Sequence, residues 1–317
     1  MPFLDPDRIL EVAQKFRDLS SPCRMCPREC MVDRLSGEIG YCGAGPLPSH
    51  SGILQHFGEE PPLVGIGGAG TIFFTHCNMR CVFCQNYQIS RGECGEIISI
   101  EELAQEMIKL QKYGASNIEP VSPTHQMNVF LEALGIAAQR GLDLPVVYNS
   151  GGYDSHEALK LLRGVVHVYM PDLKYADSKM SAKYSDCDDY VEVARQAIKE
   201  MYDQVGELEL DADGRAIKGL IIRHLVLPNS ISGSEQTMLW IRNNLSPKVT
   251  ISLMSQYSPM YDAIKYPELN RRIKASEYNK IVDYCWDLGL ENVFVQDIRS
   301  QDSCIPDFRN DKPFSWD

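Results

Sequence analysis

Cys77, Cys81 and Cys84 stand in the run Thr75-His76-Cys77-Asn78-Met79-Arg80-Cys81-Val82-Phe83-Cys84, a C-x3-C-x2-C spacing. Three thiolates this close in sequence can hold three corners of an iron–sulfur cube, whereas a fully structural cluster takes a fourth cysteine. The missing fourth ligand leaves one iron with an open position, where a substrate or cofactor can bind. The alternative is a zinc knuckle or ordinary buried thiols. Zinc modules bring a fourth ligand, and Gln85, Asn86 and Tyr87 supply none. A second group, Cys23, Cys26, Cys30 and Cys42, has four thiols and no open position. Soft thiolates suit zinc and iron–sulfur alike, so a structural zinc and an auxiliary cluster both fit this second metal site.

The elements that must position these thiols begin with a short amphipathic helix over residues 5–19, followed by the Gly- and Pro-containing cysteine segment. Residues 43–66 read as loop. From residue 69 strands and helices alternate, beginning with Gly70–Thr75, which leads directly into the cysteine run. Further strands are expected at 117–121, 145–149, 165–170, 220–227, 249–254 and 292–295, with helices near 127–140, 154–163, 189–205, 233–244 and 276–288. Ser99-Ile100-Glu101-Glu102 has the form of a capping box that opens a helix. Asp211–Gly214 reads as a hairpin turn. Repeated β–α units imply a parallel sheet covered by helices. Six or seven units are too few for a closed eight-stranded barrel, so the expected fold is a partial (β/α)6 TIM-like barrel with its site at the strand C-termini. The expected organisation is an N-terminal helix and cysteine-rich metal-binding module (1–66), the barrel (67–300) and a C-terminal tail (301–317).

Composition narrows the setting. The 317 residues are 44% hydrophobic and 23% charged, which suits a globular chain rather than a disordered or membrane-embedded one. A net charge of −12 argues against nucleic acid as a general partner. No apolar run reaches the ~18 residues of a membrane span, and the N-terminus lacks the pattern of a secretory signal. The expected location is therefore cytoplasmic. Eleven cysteines, seven of them between Cys23 and Cys84, then indicate metal or redox chemistry rather than a disulfide framework. Cys94, Cys187, Cys285 and Cys304 lie outside both groups.

The C-x3-C-x2-C run resembles the signature of the radical S-adenosylmethionine (radical SAM) enzymes. The Cys-x-x-Cys-Pro-Arg-x-Cys segment, Phe57–Pro62, Ser122–His125, Val147–Tyr153, Tyr169–Tyr175 and Ile222–Asn229 are together similar to a family of iron–sulfur proteins described as homologues of pyruvate formate-lyase-activating enzyme. The resemblance covers roughly residues 20–290. It implies a [4Fe–4S] cluster on Cys77, Cys81 and Cys84, and S-adenosylmethionine on the open iron. Reduction by a flavodoxin or ferredoxin then yields a 5′-deoxyadenosyl radical that abstracts hydrogen. It also implies cofactor contacts. Phe83 occupies the position of an aromatic residue near the adenine, and Asp172 and Lys174 match the activases' Asp-x-Lys pair. Arg223 matches their Arg-x-x-Val-x-Pro strand, where Arg223 or His224 can contact the cofactor. The Gly-Gly-Glu usual after the second strand is replaced by Val121-Ser122-Pro123-Thr124-His125, in which Ser122 or Thr124 can assist. The activases' Asp-Thr-Asn-Gly is here Tyr148-Asn149-Ser150-Gly151, which keeps Asn149 but loses the carboxylate. The substrate implied is a glycyl radical enzyme. A small molecule or peptide is the alternative, and a non-enzymatic iron–sulfur electron carrier or regulator a third.

Overall fold

A computed structural model describes residues 2–301, 305–310 and 312–314; Cys304 and parts of the expected tail lie outside the described residues. The strands are β1 (Ser49–His56), β2 (Ala69–Phe74), β3 (Glu96–Ile97), β4 (Ile118–Val121), β5 (Val147–Ser150), β6 (Val168–Pro171), β7 (Glu209–Leu210), β8 (Ala216–Leu225), β9 (Thr250–Met254) and β10 (Val293–Val295). They form one sheet in the order β10-β9-β8-β6-β5-β4-β2-β1-β3, with β7 paired to β8. From β2 through β10 this path is parallel. Its two ends do not meet, which gives the unclosed barrel of the sequence reading.

β2, β4, β5 and β6 are buried along their whole length, as strands covered on both faces should be. β2 and β6 read as near-continuous apolar runs for the same reason, whereas β4 carries Glu119 and β5 ends in Asn149 and Ser150. The connecting helices supply the outer layer. The helix Ile100–Lys112 starts at the capping box, with the Glu102 backbone N–H donating to Ser99 Oγ at 3.1 Å and the Ser99 N–H donating to Glu102 Oε2 at 2.8 Å. The helix Met127–Gln139 is buried on most of its surface because the N-terminal helix Pro6–Asp18 packs across it. Gly135 permits that crossing, since a Cβ there would lie 2.5 Å from Leu10 Cδ2.

The two longest departures from expectation are a strand and a helix. Residues 43–66, read as loop, contain β1, which pairs antiparallel with β2 and covers its free edge. The helix Ser178–Ser185, unmarked in the sequence reading, follows β6. The hairpin turn at Asp211–Gly214 is present, closed by Asp211 N–H donating to Arg215 O at 2.8 Å. No helix among the described residues is long and apolar enough to cross a membrane.

Candidate active site

The parallel strands all point their C-terminal ends at one cavity of about 500 Å³, which Cys77, Cys81 and Cys84 line. The loop that bears them is held from outside the barrel. Arg80 N–H donates to Ser185 O at 3.0 Å and Val82 N–H to Tyr184 O at 2.8 Å. Arg91 reaches back to Met79 O and Cys81 O, both at 3.3 Å. Each sulfur has a polar neighbour: Ser185 Oγ donates to Cys81 Sγ at 3.1 Å, Ser90 Oγ lies 3.3 Å from Cys84 Sγ, and the Met79 backbone N–H bonds Cys77. Burial, reinforced by Cys81, pushes the Cys77 thiol up to about 12. Without a metal the Cys77 sulfur therefore carries a proton, which a bound cluster must displace.

Among the described residues, no three Cys, His, Asp or Glu side chains converge on one point as a single metal ion requires. A cube makes no such demand, because each thiolate binds its own iron. Three soft donors, polar groups at each sulfur and a cavity beside them fit a cluster of this kind.

Six of the eight residues expected to contact the cofactor line the same cavity: Phe83, Ser122, Asn149, Asp172, Lys174 and Arg223. Phe83 is held edge-on between Tyr175 and Tyr257, at ring distances of 6.4 and 6.0 Å. Ser122 directly follows β4 with φ at 54°, a left-handed conformation that favours glycine. Lys174 is paired with Asp172. Burial lowers the Lys174 ammonium, but Asp172 and the nearby Cys81 and Cys84 outweigh it and raise it above its ordinary value. Gly152 makes this pairing loop possible: its φ is +77°, and a Cβ there would sit 2.1 Å from Asp172 O.

Two residues are corrected. His224 is fully buried and does not line the cavity, because alternation along β8 turns Arg223 and Leu225 inward and His224 outward. Its Nδ1–H donates to Leu173 O at 2.6 Å, and its Nε2 accepts from Ser234 Oγ at 2.8 Å. Thr124 is also turned away. It donates to Asp154 Oδ1 at 2.6 Å, alongside Tyr148 and Ser150. Asp154 thus anchors the loop after β5, although the Asp of the activases' motif is absent.

The floor of the cavity is polar. Arg223 grips Glu60 with two hydrogen bonds, 2.8 and 2.6 Å, and also contacts Glu59. Burial raises Glu60, but the Arg223 charge and hydrogen bonds overcome it and hold its carboxyl below the usual range. Glu119 in β4 is different. Burial first, then Glu59, pushes it well above the carboxylate range, and it accepts from Asn149 at 2.9 Å. Sequence reasoning noted the Glu59-Glu60-Pro61-Pro62 run without giving it a place in the site. Only the tertiary position of that loop beneath the barrel reveals it.

The N-terminal cysteines lie outside the cavity. Cys23, Cys26 and Cys42 are buried and Cys30 is partly buried. Cys285 is buried in the helix Ala275–Asp287, as its apolar surroundings suggest.

The family described as the radical SAM superfamily matches residues 71–206. The chain is 31% identical over 287 residues to an uncharacterized protein, MJ0674, of Methanocaldococcus jannaschii, covering 88% of this chain and 78% of that one. It is 27% identical over 171 residues to MJ0808 of the same organism, covering 47% and 48%. Among solved structures, the FeFe-hydrogenase maturase HydG from Carboxydothermus hydrogenoformans aligns with a TM-score of 0.48 and 12% identity, over 71% of this chain and 53% of that one. A further HydG structure gives 0.45 and 13%, over 90% and 62%. The chain thus spans roughly half to three-fifths of the HydG chains.

Proposed function

The chain belongs to the radical SAM superfamily, and from that membership we propose that Cys77, Cys81 and Cys84 hold a [4Fe–4S] cluster at which S-adenosylmethionine is bound and cleaved. The observation that carries this reading is the meeting of the three thiols with Asp172 and Lys174 in one cavity at the strand ends. When bound, the cluster supplies one electron that splits S-adenosylmethionine and releases a 5′-deoxyadenosyl radical able to take hydrogen from a substrate. The chain's own residues supply binding and shelter. The Lys174 ammonium is an electrostatic partner for the carboxylate of S-adenosylmethionine, and Asp172 holds it in place. Phe83, fixed between two tyrosines, offers an aromatic surface to the adenine. Asn149 and Ser122 present polar groups at adjacent strand ends. The buried walls keep water from the radical.

The substrate we propose is the backbone of a glycyl radical enzyme, reached through the cavity mouth, with a reduced flavodoxin or ferredoxin as electron donor. The N-terminal cysteines are a second metal site in this reading. A small molecule or peptide is the competing substrate, and the polar floor of Arg223, Glu59 and Glu60 favours it by offering charged partners deep in the cavity.

The test is anaerobic reconstitution with iron and sulfide, reduction, and measurement of 5′-deoxyadenosine from S-adenosylmethionine. Formation by the native chain and a weaker S-adenosylmethionine affinity in Lys174→Met are expected. An iron-loaded, reduced protein that forms none overturns the reading. Electron paramagnetic resonance with a glycyl radical enzyme added then separates the two substrates, since only activation leaves a glycyl signal on the partner.

A further inference from the structure

The charges that line the cavity do not balance. Its carboxylates are Glu59, Glu60 and Asp172, and its lysine and arginine cations are Lys174 and Arg223. Lys174 and Asp172 pair with each other. Arg223 is left to both glutamates: its Nε and one Nη reach Glu60 at 2.8 and 2.6 Å, and the same Nη contacts Glu59. One guanidinium thus serves two carboxylates whose side chains are only 7% and 6% exposed. The His56 ring stands 3.8 Å from Glu59, beyond hydrogen-bond reach, and lacks the permanent charge of a lysine or arginine. A buried carboxylate without a full counter-charge is unfavourable, and a cation that enters beside it relieves that cost.

A second observation points to the same place. Glu119, in β4, is fully buried, and its Oε2 has no hydrogen-bond partner among the described residues. Its Oε1 accepts from Asn149 Nδ2 at 2.9 Å. Asn149 lines the cavity, and so does Val121, which alternation along β4 places on the same face as Glu119. The open oxygen therefore lies on the cavity side of the sheet. Burial first, and then the Glu59 charge, keep this carboxyl well above its usual range. A buried acceptor left without a donor destabilises the fold until a donor reaches it.

We infer that Glu59, Glu60 and Glu119 form a subsite for a cationic nitrogen group of the substrate, an ammonium or a guanidinium. Its N–H donors meet the floor carboxylates first and the open Glu119 oxygen beside Asn149 next. Arg223 fixes Glu60 with two hydrogen bonds and leaves Glu59 the less satisfied of the pair. An anionic group entering instead meets two carboxylates and an arginine whose charge is already taken. The subsite rests on the radical SAM reading of the cavity and names the group that its substrate carries.

The position suits an anchor. Arg223 in β8 is the bridge partner of Asp172, and the Leu173 N–H donates to Arg223 O at 2.8 Å. A substrate held by its nitrogen end at the floor lies beside the Asp172–Lys174 pair. Its remainder then occupies the cavity that Cys77, Cys81 and Cys84 line.

Calorimetric titration of the full chain, as purified and after anaerobic reconstitution, with butylguanidinium, butylurea and butanoate tests the subsite without S-adenosylmethionine. Saturable binding of butylguanidinium is expected, with the neutral and anionic analogues at least about tenfold weaker. This comparison on the native chain needs no variant. Glu59→Gln leaves the two-pronged Arg223–Glu60 contact in place, and it should weaken butylguanidinium by about tenfold or more, as should Glu119→Gln. No binding of butylguanidinium, binding equal to that of butylurea, or unchanged affinity in both variants overturns the subsite. Acetylated and amidated Ala-Arg-Ala and Ala-citrulline-Ala separate the two sources of the group. Selection of arginine over citrulline supports the subsite with a peptide side chain as occupant, and selection confined to butylguanidinium supports it with a small molecule. A chain that prefers the cation yet forms no 5′-deoxyadenosine refutes the radical reading alone. One that cleaves S-adenosylmethionine without any preference for the cation refutes the subsite alone.

Discussion

His224 makes a measurable demand on acid stability. Burial drives its imidazole down to about 4, opposed by its hydrogen bond to Leu173 and by Asp172, while Lys174 adds to the fall. In the unfolded chain the ring protonates near pH ~6.5. Below that pH the unfolded state binds a proton that the folded state refuses, so stability falls as pH falls and levels off only below the folded value. From about pH 7 to about pH 5 this one ring costs about 2 kcal/mol, at ~1.4 kcal/mol per unit of separation. The raw pH curve hides the effect. Glu119 and Asp154 have raised folded values and contribute in the opposite direction as pH falls. The measurement is therefore a difference: denaturant unfolding of cofactor-free native chain and of His224→Gln, each at the two pH values. The substitution removes the titration and leaves Glu119 and Asp154 in both proteins. The native chain's advantage over the variant should shrink by about 2 kcal/mol on acidification. A constant difference, or a folded-state imidazole signal of His224 that titrates near ~6.5, would refute the reasoning.

Three further outcomes follow from the geometry. Arg223→Ala leaves Glu59 and Glu60 buried without their cation and should cost about 3–5 kcal/mol in urea unfolding; Arg223→Lys should recover only part, because it cannot make the two-pronged contact. Gly152→Ala should lose more than about 1 kcal/mol, since φ is +77° and the new methyl meets Asp172 O, with S-adenosylmethionine affinity falling alongside thermal stability. Ser122→Gly should keep or raise the melting temperature and Ser122→Val should lower it, a difference of about 1–2 kcal/mol for the left-handed backbone.

The strands and their helices were legible because each element carries its own signal. The capping box of Ser99 and Glu102, the apolar run of β6, and Gly114 after the helix Ile100–Lys112 are local instructions. β1 was not legible. Its sequence Ser-His-Ser-Gly-Ile-Leu-Gln-His alternates poorly, is interrupted by Gly52 and shifts register between His50 and Gly52. It is a strand because the edge of β2 requires a partner. In the site, strand ends were legible since a β/α repeat delivers them to one face. His224 was misplaced for a reason the sequence does contain: a strand that turns Arg223 inward must turn its neighbour outward. The role of Glu59 and Glu60 was invisible, because their contact to Arg223 joins positions 163 and 164 residues apart.

That long-range grip limits how the chain can be cut. A boundary near residue 66 separates two compositions, but it does not separate two independent bodies. Removing residues 1–66 would strip Arg223 of both its carboxylates, bare the edge of β2, uncover the helix Met127–Gln139 and leave the buried His125 carbonyl without the Arg34 guanidinium that donates to it at 2.6 Å. The barrel is therefore not a portable part. Any transplant or deletion that treats it as one would inherit a buried cation, an open sheet edge and an exposed apolar helix together.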